Sequence, residues 1–350
     1  MSSDTSDILF ARRGAAGIVT LNRPSALNAI THEMVRALAR QLDAWAHDGA
    51  VTRVIVTAEG GRAFSAGGDI RALYELGRAG QQAEALKFFR EEYTLNTAIK
   101  RYPKPYVSLI DGIVMGGGFG VSVHGSHRVA GDRFQFAMPE VSIGFFPDVG
   151  ATWVLPRMPG ETGAWCALTG DRMKTADGVA TGIATHHVRS ERFPDLLDAL
   201  CGNVSVDALL AAFAEPVGEG PVTARRGAID RLFAASRVED ILAALDAERG
   251  AEAEWAHATA ETMRKKSPTS LKIALAQVRR GREWSFEECM RAEMRIVSRI
   301  VEGHDFYEGV RAAIVEKDNA PGWRPASLAE VSDAEVDRHF AAIADELVLA

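Results

Sequence analysis

The fold is decided by the stretch YVSLIDGIVMGGGFG, which occupies residues 106–120. Its first five residues are mostly apolar and favour extended backbone, so they predict a strand buried in a sheet. The glycines at 116, 117 and 118 form a bare turn, and a helix from Phe119 onward would place their N–H groups at its positive end. A strand that passes through a glycine turn into a helix is typical of α/β proteins.

Segments before this stretch repeat the alternation of strands and helices. Strands are predicted at residues 17–21 and 53–57, and Thr31 is placed to cap a helix whose apolar stripe runs to Trp45. A later helix is predicted to end near Arg101, because prolines follow it. The N-terminal part is therefore an α/β region with crossovers between strands.

The character of the sequence changes after residue 202. Strand signals fade, and capped helices become frequent, as at Ser267-Pro268 and in the capping box that pairs Ser285 with Glu288. We therefore divide the chain into an α/β core, residues 1–202, and a mostly helical C-terminal region, residues 203–350.

Composition excludes several classes of protein. The 350 residues are 47% hydrophobic, which is enough for a large core, and a net charge of −7 argues against a nucleic-acid partner. Three scattered cysteines indicate neither a disulfide framework nor a zinc site. Residues 1–7 lack the features of a targeting segment, and no apolar run is long enough to span a membrane. We predict a cytoplasmic protein with no membrane partner.

Candidate chemistry concentrates in two glycine turns and two acids. The turn at residues 116–118 and a second one, FSAGGD at residues 64–69, could each aim a backbone N–H at a developing oxyanion. Glu140 and Asp148 follow in one segment and could handle protons or water. Taken singly, a glycine turn of this kind is more often structural than functional, but the two turns together with the acids outline a site for acyl chemistry.

Other motifs fail on inspection. The glycines do not fit G-x-G-x-x-G, since position 121 is Val121, and the chain has no Gly-Lys pair for a phosphate-binding loop. The neighbourhood of Ser65 does not match a nucleophile elbow. His124 and His127 are spaced three apart, but no acid lies beside them, so we predict no metal site.

Three motifs resemble those of the enoyl-CoA hydratase/isomerase, or crotonase, superfamily. They are PSALNA at residues 24–29, FSAGGD at residues 64–69 and GIVMGGG at residues 112–118. The resemblance implies a spiral core of ββα units that binds an acyl-CoA. It also implies that the thioester oxygen is held by the N–H groups of Gly68 and Gly117, the oxyanion hole, and that Ala66 lies near the adenine.

The chain departs from the hydratases of this superfamily at one position. Those enzymes carry a glutamate two residues after the triple glycine, where this sequence has Gly120, so only the second hydratase acid remains, at Glu140. Asp148 stands where hydratases usually have a small residue. This pair of acids also resembles the one in dienoyl-CoA isomerases, and it does not choose between isomerisation and hydrolysis.

The C-terminal region resembles that of the 3-hydroxyisobutyryl-CoA hydrolase family of valine catabolism. The matching C-terminal segments are residues 267–272, 303–312 and 321–325, and three earlier segments, residues 89–93, 137–140 and 146–150, resemble the same family. The resemblance implies thioester hydrolysis with Glu140 as the catalytic acid, Asp148 in catalysis or substrate positioning, and Glu92 near the substrate. On pattern alone, Glu92 would be read as part of a solvated helix face. A hydratase or isomerase, and a CoA-binding relative without turnover, are the alternatives.

The resemblance implies no metal and no separate cofactor, because CoA arrives as part of the substrate. Members of the superfamily often form trimers or hexamers, which leaves a homo-oligomer open. The helical C-terminal region could instead cover the surface used for assembly and leave a monomer or dimer. Glu140 could activate water as a general base or attack the thioester itself, and the sequence does not choose between these routes.

Overall fold

The computed structural model describes residues 7–349, and these form two compact units that each combine several chain segments. The first unit contains the described residues up to Asp69, with Thr94–Phe136 and Arg172–Thr223. The second contains Ile70–Tyr93, Ala137–Asp171 and the described chain from Ala224 onward. The units interleave along the sequence, whereas the predicted ranges 1–202 and 203–350 follow a change in element type. That division stays a prediction as a domain boundary.

The strands are short and lie in the first two thirds of the described chain. They are β1 Ile8–Arg13, β2 Ala16–Leu21, β3 Arg53–Ala58, β4 Ala63–Ser65, β5 Tyr106–Ile110, β6 Ile113–Met115, β7 His127–Ala130, β8 Gln135–Ala137, β9 Met173–Lys174 and β10 His186–His187.

Helices occur throughout and are the regular elements found after residue 203 in the described chain. They are α1 His32–His47, α2 Ile70–Arg78, α3 Gln82–Lys100, α4 Gly116–Val123, α5 Ala151–Val154, α6 Thr162–Thr169, α7 Thr175–Ala180, α8 Phe193–Leu200, α9 Val206–Phe213, α10 Pro221–Ala224, α11 Arg226–Leu232, α12 Val238–Ala247, α13 Ala253–Arg264, α14 Pro268–Arg280, α15 Phe286–Ile300, α16 Asp305–Val310 and α17 Asp333–Phe340. None of these described helices has the length and apolarity needed to cross a membrane.

Two sheets run through the first unit, and successive strand pairs contribute one strand to each. The larger sheet has the order β1-β2-β3-β5-β7-β10, and the smaller has the order β4-β6-β8-β9. In the larger sheet β1 is antiparallel to β2, and the remaining strands are parallel. The pairs β3-β4, β5-β6 and β7-β8 each place their first strand in the larger sheet and their second in the smaller. This repeat produces the predicted ββα spiral.

The predicted strands of the larger sheet are confirmed, whereas those of the smaller sheet were missed. β2, β3 and β5 match residues 17–21, 53–57 and 106–110 closely. β4 and β6 have three residues each, which is too short for the alternation of apolar and polar residues that identifies a strand in a sequence. β4 overlaps the glycine turn at residues 64–69, and β6 ends directly before the glycine turn at residues 116–118.

Capping predictions hold in both units. The Thr31 side chain accepts a hydrogen bond from the Met34 N–H at the start of α1. Ser267 caps α14 with Pro268 in the first turn, and the capping box of Ser285 and Glu288 starts α15. These local signals depend only on nearby residues, which is why the sequence identifies them.

The second unit is a helical assembly. α14 packs against α6, α15 packs against α5 and α17, and α16 packs against α2. α15 is long and amphipathic, and residues such as Met290, Met294 and Val297 are fully or almost fully buried along it. One further buried residue of α15, Glu293, is acidic. Glu293 is one of the buried acids of the candidate active site.

Candidate active site

The first unit contributes a helix that begins within the triple glycine. α4 starts at Gly116, with Met115 as its N-terminal cap, so the helix begins earlier than the predicted Phe119. Gly117 is therefore the second residue of the helix, and its N–H group has no carbonyl partner within the helix. The helix dipole favours an anionic oxygen at this position.

The second glycine turn is held by a bridge to residue 30. The Ile30 N–H donates to the Gly67 carbonyl at 2.8 Å, and the Asp69 N–H donates to the Ile30 carbonyl at 2.9 Å. In extended backbone, neighbouring residues direct their N–H groups to opposite sides. The Gly68 N–H therefore points away from Ile30.

The two glycine turns approach each other closely. A Cβ atom on Gly118 would lie 2.6 Å from both the Cβ and the carbonyl oxygen of Ser65, so no other residue fits there without movement. A Cβ atom on Gly67 would lie 3.9 Å from the Gly117 nitrogen. The structure thus places the turns that carry Gly68 and Gly117 side by side.

The Ala66 segment is anchored by the first of the superfamily motifs. The Ala66 N–H donates to the Leu27 carbonyl at 2.9 Å. Leu27 and Asn28 adopt left-handed backbone, and the buried Asn28 amide donates to the carbonyls of Glu59 and Ala63 at 2.9 Å each. The motif at residues 24–29 therefore fixes the loop that carries Ala66 and Gly68.

The second unit contributes Glu140 at the start of a tight helical turn. A 3₁₀ turn spans Glu140–Ile143, and the left-handed Gly144 ends it. α16 lies directly on this turn, because a Cβ atom on Gly309 would come within 2.3 Å of the carbonyl carbon of Ile143. The backbone around Glu140 is thus fixed by close helix packing.

Four buried carboxyl groups of this unit act on one another electrostatically. Glu92, Glu140 and Asp148 are 2%, 7% and 5% exposed, and Glu293 is fully buried. Burial, followed by the charge of Asp148, raises the pKa of Glu140 well above its ordinary range. Burial, followed by Asp148 and Glu293, raises the pKa of Glu92 in the same direction. Mutual repulsion therefore links the protonation of these groups.

Asp148 and Glu293 have hydrogen-bond donors that oppose this effect. Burial raises the pKa of Asp148 to about 7, although a hydrogen bond from Tyr93 lowers it. Burial and the charge of Asp148 raise the pKa of Glu293 to about 8, against the hydrogen bonds from Thr152 and Gly150. Carboxyl groups with such values can hold or release protons near neutral pH.

Two oxygens of this cluster lack partners. Within residues 7–349, neither Glu140 Oε2 nor Glu92 Oε1 makes a hydrogen bond, although both atoms are buried. An unpaired buried polar atom costs about 1–3 kcal/mol. Such atoms are common where a ligand or substrate supplies the missing partner, so these oxygens are candidates for contact with one.

The C-terminal motifs meet at a buried acid, Asp305. Its carboxylate accepts a hydrogen bond from the Ser267 hydroxyl at 2.6 Å and another from the Arg324 N–H at 2.8 Å. Asp305 also begins α16, the helix that lies on the Glu140 turn. The segments at residues 267–272, 303–312 and 321–325 therefore form one structural cluster behind that turn.

Sequence reasoning missed two members of the site in the second unit. The Tyr93 hydroxyl donates to Asp148 Oδ2 at 2.8 Å, although no role is predicted for Tyr93 from the sequence. Glu293 lies 145 residues beyond Asp148 (293 − 148), where no motif signals it. The one available hint is its position on an amphipathic helix among apolar neighbours. Within residues 7–349, no group of three or more His, Cys, Asp or Glu side chains is arranged to hold a metal ion.

These two arrangements, a pair of glycine turns on a ββα spiral and a buried group of carboxyls, define an acyl-CoA enzyme of the crotonase type. The family model for enoyl-CoA hydratase/isomerase matches residues 16–340, and the chain belongs to this family. The predicted family is therefore confirmed.

Curated relatives match along nearly the whole chain. A mitochondrial 3-hydroxyisobutyryl-CoA hydrolase from Danio rerio is 46% identical over 348 residues, which cover 97% of this chain and 90% of the relative. The protein of the same name from Homo sapiens is 40% identical over 344 residues, which cover 95% and 88%.

Solved structures confirm the crotonase fold. A carnitinyl-CoA dehydratase from Mycobacterium thermoresistibile superposes with a TM-score of 0.93 at 43% identity, covering 98% of this chain and 99% of that chain. An enoyl-CoA hydratase from Rhodobacter sphaeroides superposes with a TM-score of 0.89 at 40% identity, covering 96% and 97%.

The predicted cytoplasmic location is wrong in the light of these relatives, which are mitochondrial by name. That prediction came from composition and from the character of residues 1–7. The composition is compatible with either compartment, so it does not report the location.

Proposed function

We propose that this protein hydrolyses the thioester of 3-hydroxyisobutyryl-CoA, or of a related 3-hydroxyacyl-CoA, to the free hydroxy acid and CoA. The observation that carries the proposal is the identity of 40–46% over nearly the full chain to relatives named for this activity. The C-terminal cluster at Asp305 supports it, because the segments that form this cluster resemble those of the hydrolase family. Hydrolysis of this thioester would place the protein in valine catabolism.

In this mechanism the glycine turns stabilise the negative charge that develops on the thioester oxygen. Attack on the thioester carbonyl places negative charge on its oxygen, and we assign the N–H groups of Gly68 and Gly117 to that oxygen as an oxyanion hole. Preorganised backbone donors of this kind typically contribute about 10²–10³ in kcat for each donor. The free helix-end position of Gly117 and the outward direction of the Gly68 N–H support the assignment.

We assign Glu140 as the catalytic carboxylate. As a general base it would take a proton from water while the oxygen of that water attacks the carbonyl carbon. As a nucleophile it would displace the CoA thiolate to form a mixed anhydride, which water then opens. In both routes the C–S bond breaks, the thiolate gains a proton, and the acid and free CoA leave. Burial raises the pKa of Glu140, so in either route the carboxyl must lose its proton before it acts.

A single turnover in heavy-oxygen water distinguishes the two routes. Heavy oxygen incorporated into the Glu140 side chain would identify the anhydride route, because water then opens the anhydride at one of its two carbonyls. Label found only in the hydroxy acid is the result expected of general-base attack by water, in which Glu140 forms no covalent bond. Mass spectrometry of the peptide that contains Glu140 provides the measurement.

Asp148 and Glu92 are assigned to the substrate. Asp148 would accept a hydrogen bond from the 3-hydroxyl group or from the attacking water. Glu92, whose Oε1 atom has no partner in the described part of the chain, is assigned to substrate binding. Ala66 is assigned to the adenine end of CoA. The substrate is the acyl-CoA itself, and the proposal needs no metal or separate cofactor.

Hydration or dehydration is the second candidate function. It is favoured by the two structures above, a carnitinyl-CoA dehydratase and an enoyl-CoA hydratase, which share 40–43% identity with this chain. Gly120 counts against it, because the first acid expected of the hydratases is missing at that position. An isomerase would use the same pair of acids without releasing CoA.

Two assays run side by side test the proposal. Thiol release is measured with 3-hydroxyisobutyryl-CoA, and loss of the double bond is measured by absorbance with crotonyl-CoA. The proposal predicts thiol release with the first substrate and no absorbance loss with the second. Absorbance loss without thiol release would favour a hydratase, and binding without turnover would indicate a non-catalytic relative. Light scattering on the same sample determines whether the protein is a homo-oligomer.

A further inference from the structure

The loop that carries Asp148 is strained at the next residue. Val149 is β-branched, yet it adopts a left-handed backbone with φ of 53°, a conformation that L-residues with branched Cβ atoms rarely tolerate. Gly150 follows with φ of 91°. Such backbone persists only where surrounding contacts fix it, so the contacts around residues 147–152 must hold this loop in place.

Two buried side chains hold the loop by its backbone. The carboxylate of Glu293 accepts hydrogen bonds from the N–H groups of Gly150 at 2.8 Å and Thr152 at 2.9 Å. The amide of Gln277 donates to the Pro147 carbonyl and to the Thr152 hydroxyl. The backbone on both sides of Asp148 is therefore anchored to helices α14 and α15.

Tyr93 holds the side chain of the same residue. Its hydroxyl donates to Asp148 Oδ2 at 2.8 Å, and both residues are buried. Burial, followed by the charge of Asp148, raises the pKa of Tyr93 well above its ordinary range, so the hydroxyl keeps its proton and remains the donor. A carboxylate with one oxygen bound in this way presents its other oxygen in a fixed direction.

We propose that Tyr93 and Glu293 are positioning residues that orient Asp148, from its side chain and its backbone respectively, to recognise the 3-hydroxyl group of the acyl chain. This inference rests on the proposed function, since it concerns the substrate that the site accepts. It assigns the selection of hydroxylated over unsubstituted acyl thioesters to the Tyr93–Asp148–Glu293 unit. Neither positioning residue needs to touch the substrate.

The variant Tyr93→Phe tests the role of Tyr93 in orienting the Asp148 side chain. It removes one hydroxyl and keeps the ring that packs against Phe89. Thiol release is measured with 3-hydroxyisobutyryl-CoA and with isobutyryl-CoA, which lacks the hydroxyl. We expect kcat/KM for the hydroxylated substrate to fall about tenfold to a hundredfold, as for loss of a hydrogen bond to a charged group. The value for isobutyryl-CoA should change less than about threefold, so selectivity falls.

Two further variants separate positioning from general damage. Tyr102→Phe also removes a hydroxyl that donates to a protein oxygen, the Leu42 carbonyl at 2.9 Å, and it should leave selectivity unchanged. Glu293→Gln should lower selectivity in the same direction as Tyr93→Phe, together with the melting temperature. Equal losses with both substrates in Tyr93→Phe, or no loss with either, would overturn the proposal.

A readout without turnover keeps this inference distinct from the proposed function. The charges of Glu92, Glu140 and Glu293 act on Asp148. The titration of its carboxyl group can be followed by carbon NMR of the labelled protein. Loss of the Tyr93 hydrogen bond should move that titration to higher pH, and Tyr102→Phe should not move it. A wild-type protein that releases no thiol would overturn the proposed function alone. If the Asp148 carboxyl titrates at the same pH in Tyr93→Phe as in the wild type, only the role proposed for Tyr93 is overturned.

Discussion

The two units supply different kinds of chemistry. The first offers backbone N–H groups at Gly68 and Gly117, whose positions follow from a sheet bridge, a helix start and the absence of a side chain at Gly118. The second offers side-chain acids, Glu140 and Asp148, whose behaviour follows from burial and from one another. Backbone donors act at any pH, whereas buried acids act only in one protonation state. The comparison teaches that steric fit governs the proposed backbone donors, whereas proton binding governs the proposed acids.

The largest effect is expected from the acidic half. Glu140→Gln removes the proposed base or nucleophile with little change in volume, and kcat for thiol release should fall about 10³-fold, within the range of general acid–base catalysis. The surface variant Glu254→Gln should leave kcat unchanged. Near wild-type kcat in a folded Glu140→Gln protein would remove Glu140 from the mechanism.

The second-largest effect is expected from a change in the glycine turns that carry the proposed backbone donors. In Gly118→Ala the new methyl group meets Ser65 at 2.6 Å, which should move the two glycine turns apart. We expect kcat to fall about 10²-fold through loss of donor geometry, and stability to fall by about 1–3 kcal/mol through overpacking. Gly227→Ala, on α11 with open space at its Cβ position, is the matched control and should affect neither. Unchanged kcat in Gly118→Ala would contradict a rigid oxyanion hole.

A third test uses pH to separate the two halves. The pKa values of Asp148 and Glu293 are raised to about 7 and about 8, so the folded protein binds more protons than the unfolded chain across this window. Stability should therefore decline as pH rises from about 5 to about 8, while kcat/KM rises as the acids ionise. We expect roughly a tenfold change in kcat/KM, and melting curves record the opposite trend in stability.

Asp148→Asn serves as the control for this pH test. It removes one of the shifted groups, so the decline of melting temperature with pH should become shallower. Identical slopes for Asp148→Asn and wild type would show that burial of this carboxyl does not govern the pH dependence of stability.

The smallest catalytic effect is expected behind the Glu140 turn. Ser267→Ala removes the cap of α14 and a partner of Asp305, so the free energy of unfolding should fall by about 1–3 kcal/mol with kcat within about twofold of wild type. Ser205→Ala removes only an exposed cap on α9 and should cost about 1 kcal/mol. Equal losses in calorimetry would contradict the structural role of Asp305.

The sequence predicts the backbone half better than the acidic half. The glycine turns are continuous in the chain, and short-range spacing identifies them, as it does the Thr31 and Ser267 caps. Glu140 and Asp148 were predicted as candidates for the same reason. Glu293 was not, because its partners Gly150 and Thr152 are distant in sequence and only tertiary packing brings them together. Tyr93 lies in the segment at residues 89–93 that resembles the hydrolase family, but its hydrogen bond to Asp148 depends on the fold.

The short strands β4 and β6 show the same limit within the fold. Each is fixed by pairing with the other through Ala63 and Ile113, not by a pattern of its own. Three strands of the larger sheet, β2, β3 and β5, carry enough apolar residues to be identified alone. Local signals thus predict the α/β class and the glycine turns, whereas the second sheet and the carboxyl cluster require long-range contacts.

The most direct test of the central claim follows the fate of one substrate, 3-hydroxyisobutyryl-CoA. The purified protein is incubated with this thioester, and the products are identified by mass spectrometry. Our account predicts free CoA and the hydroxy acid in equal amounts, with production lost in Glu140→Gln. An acyl-CoA lighter by one water, formed without free CoA, would contradict it and identify a dehydratase.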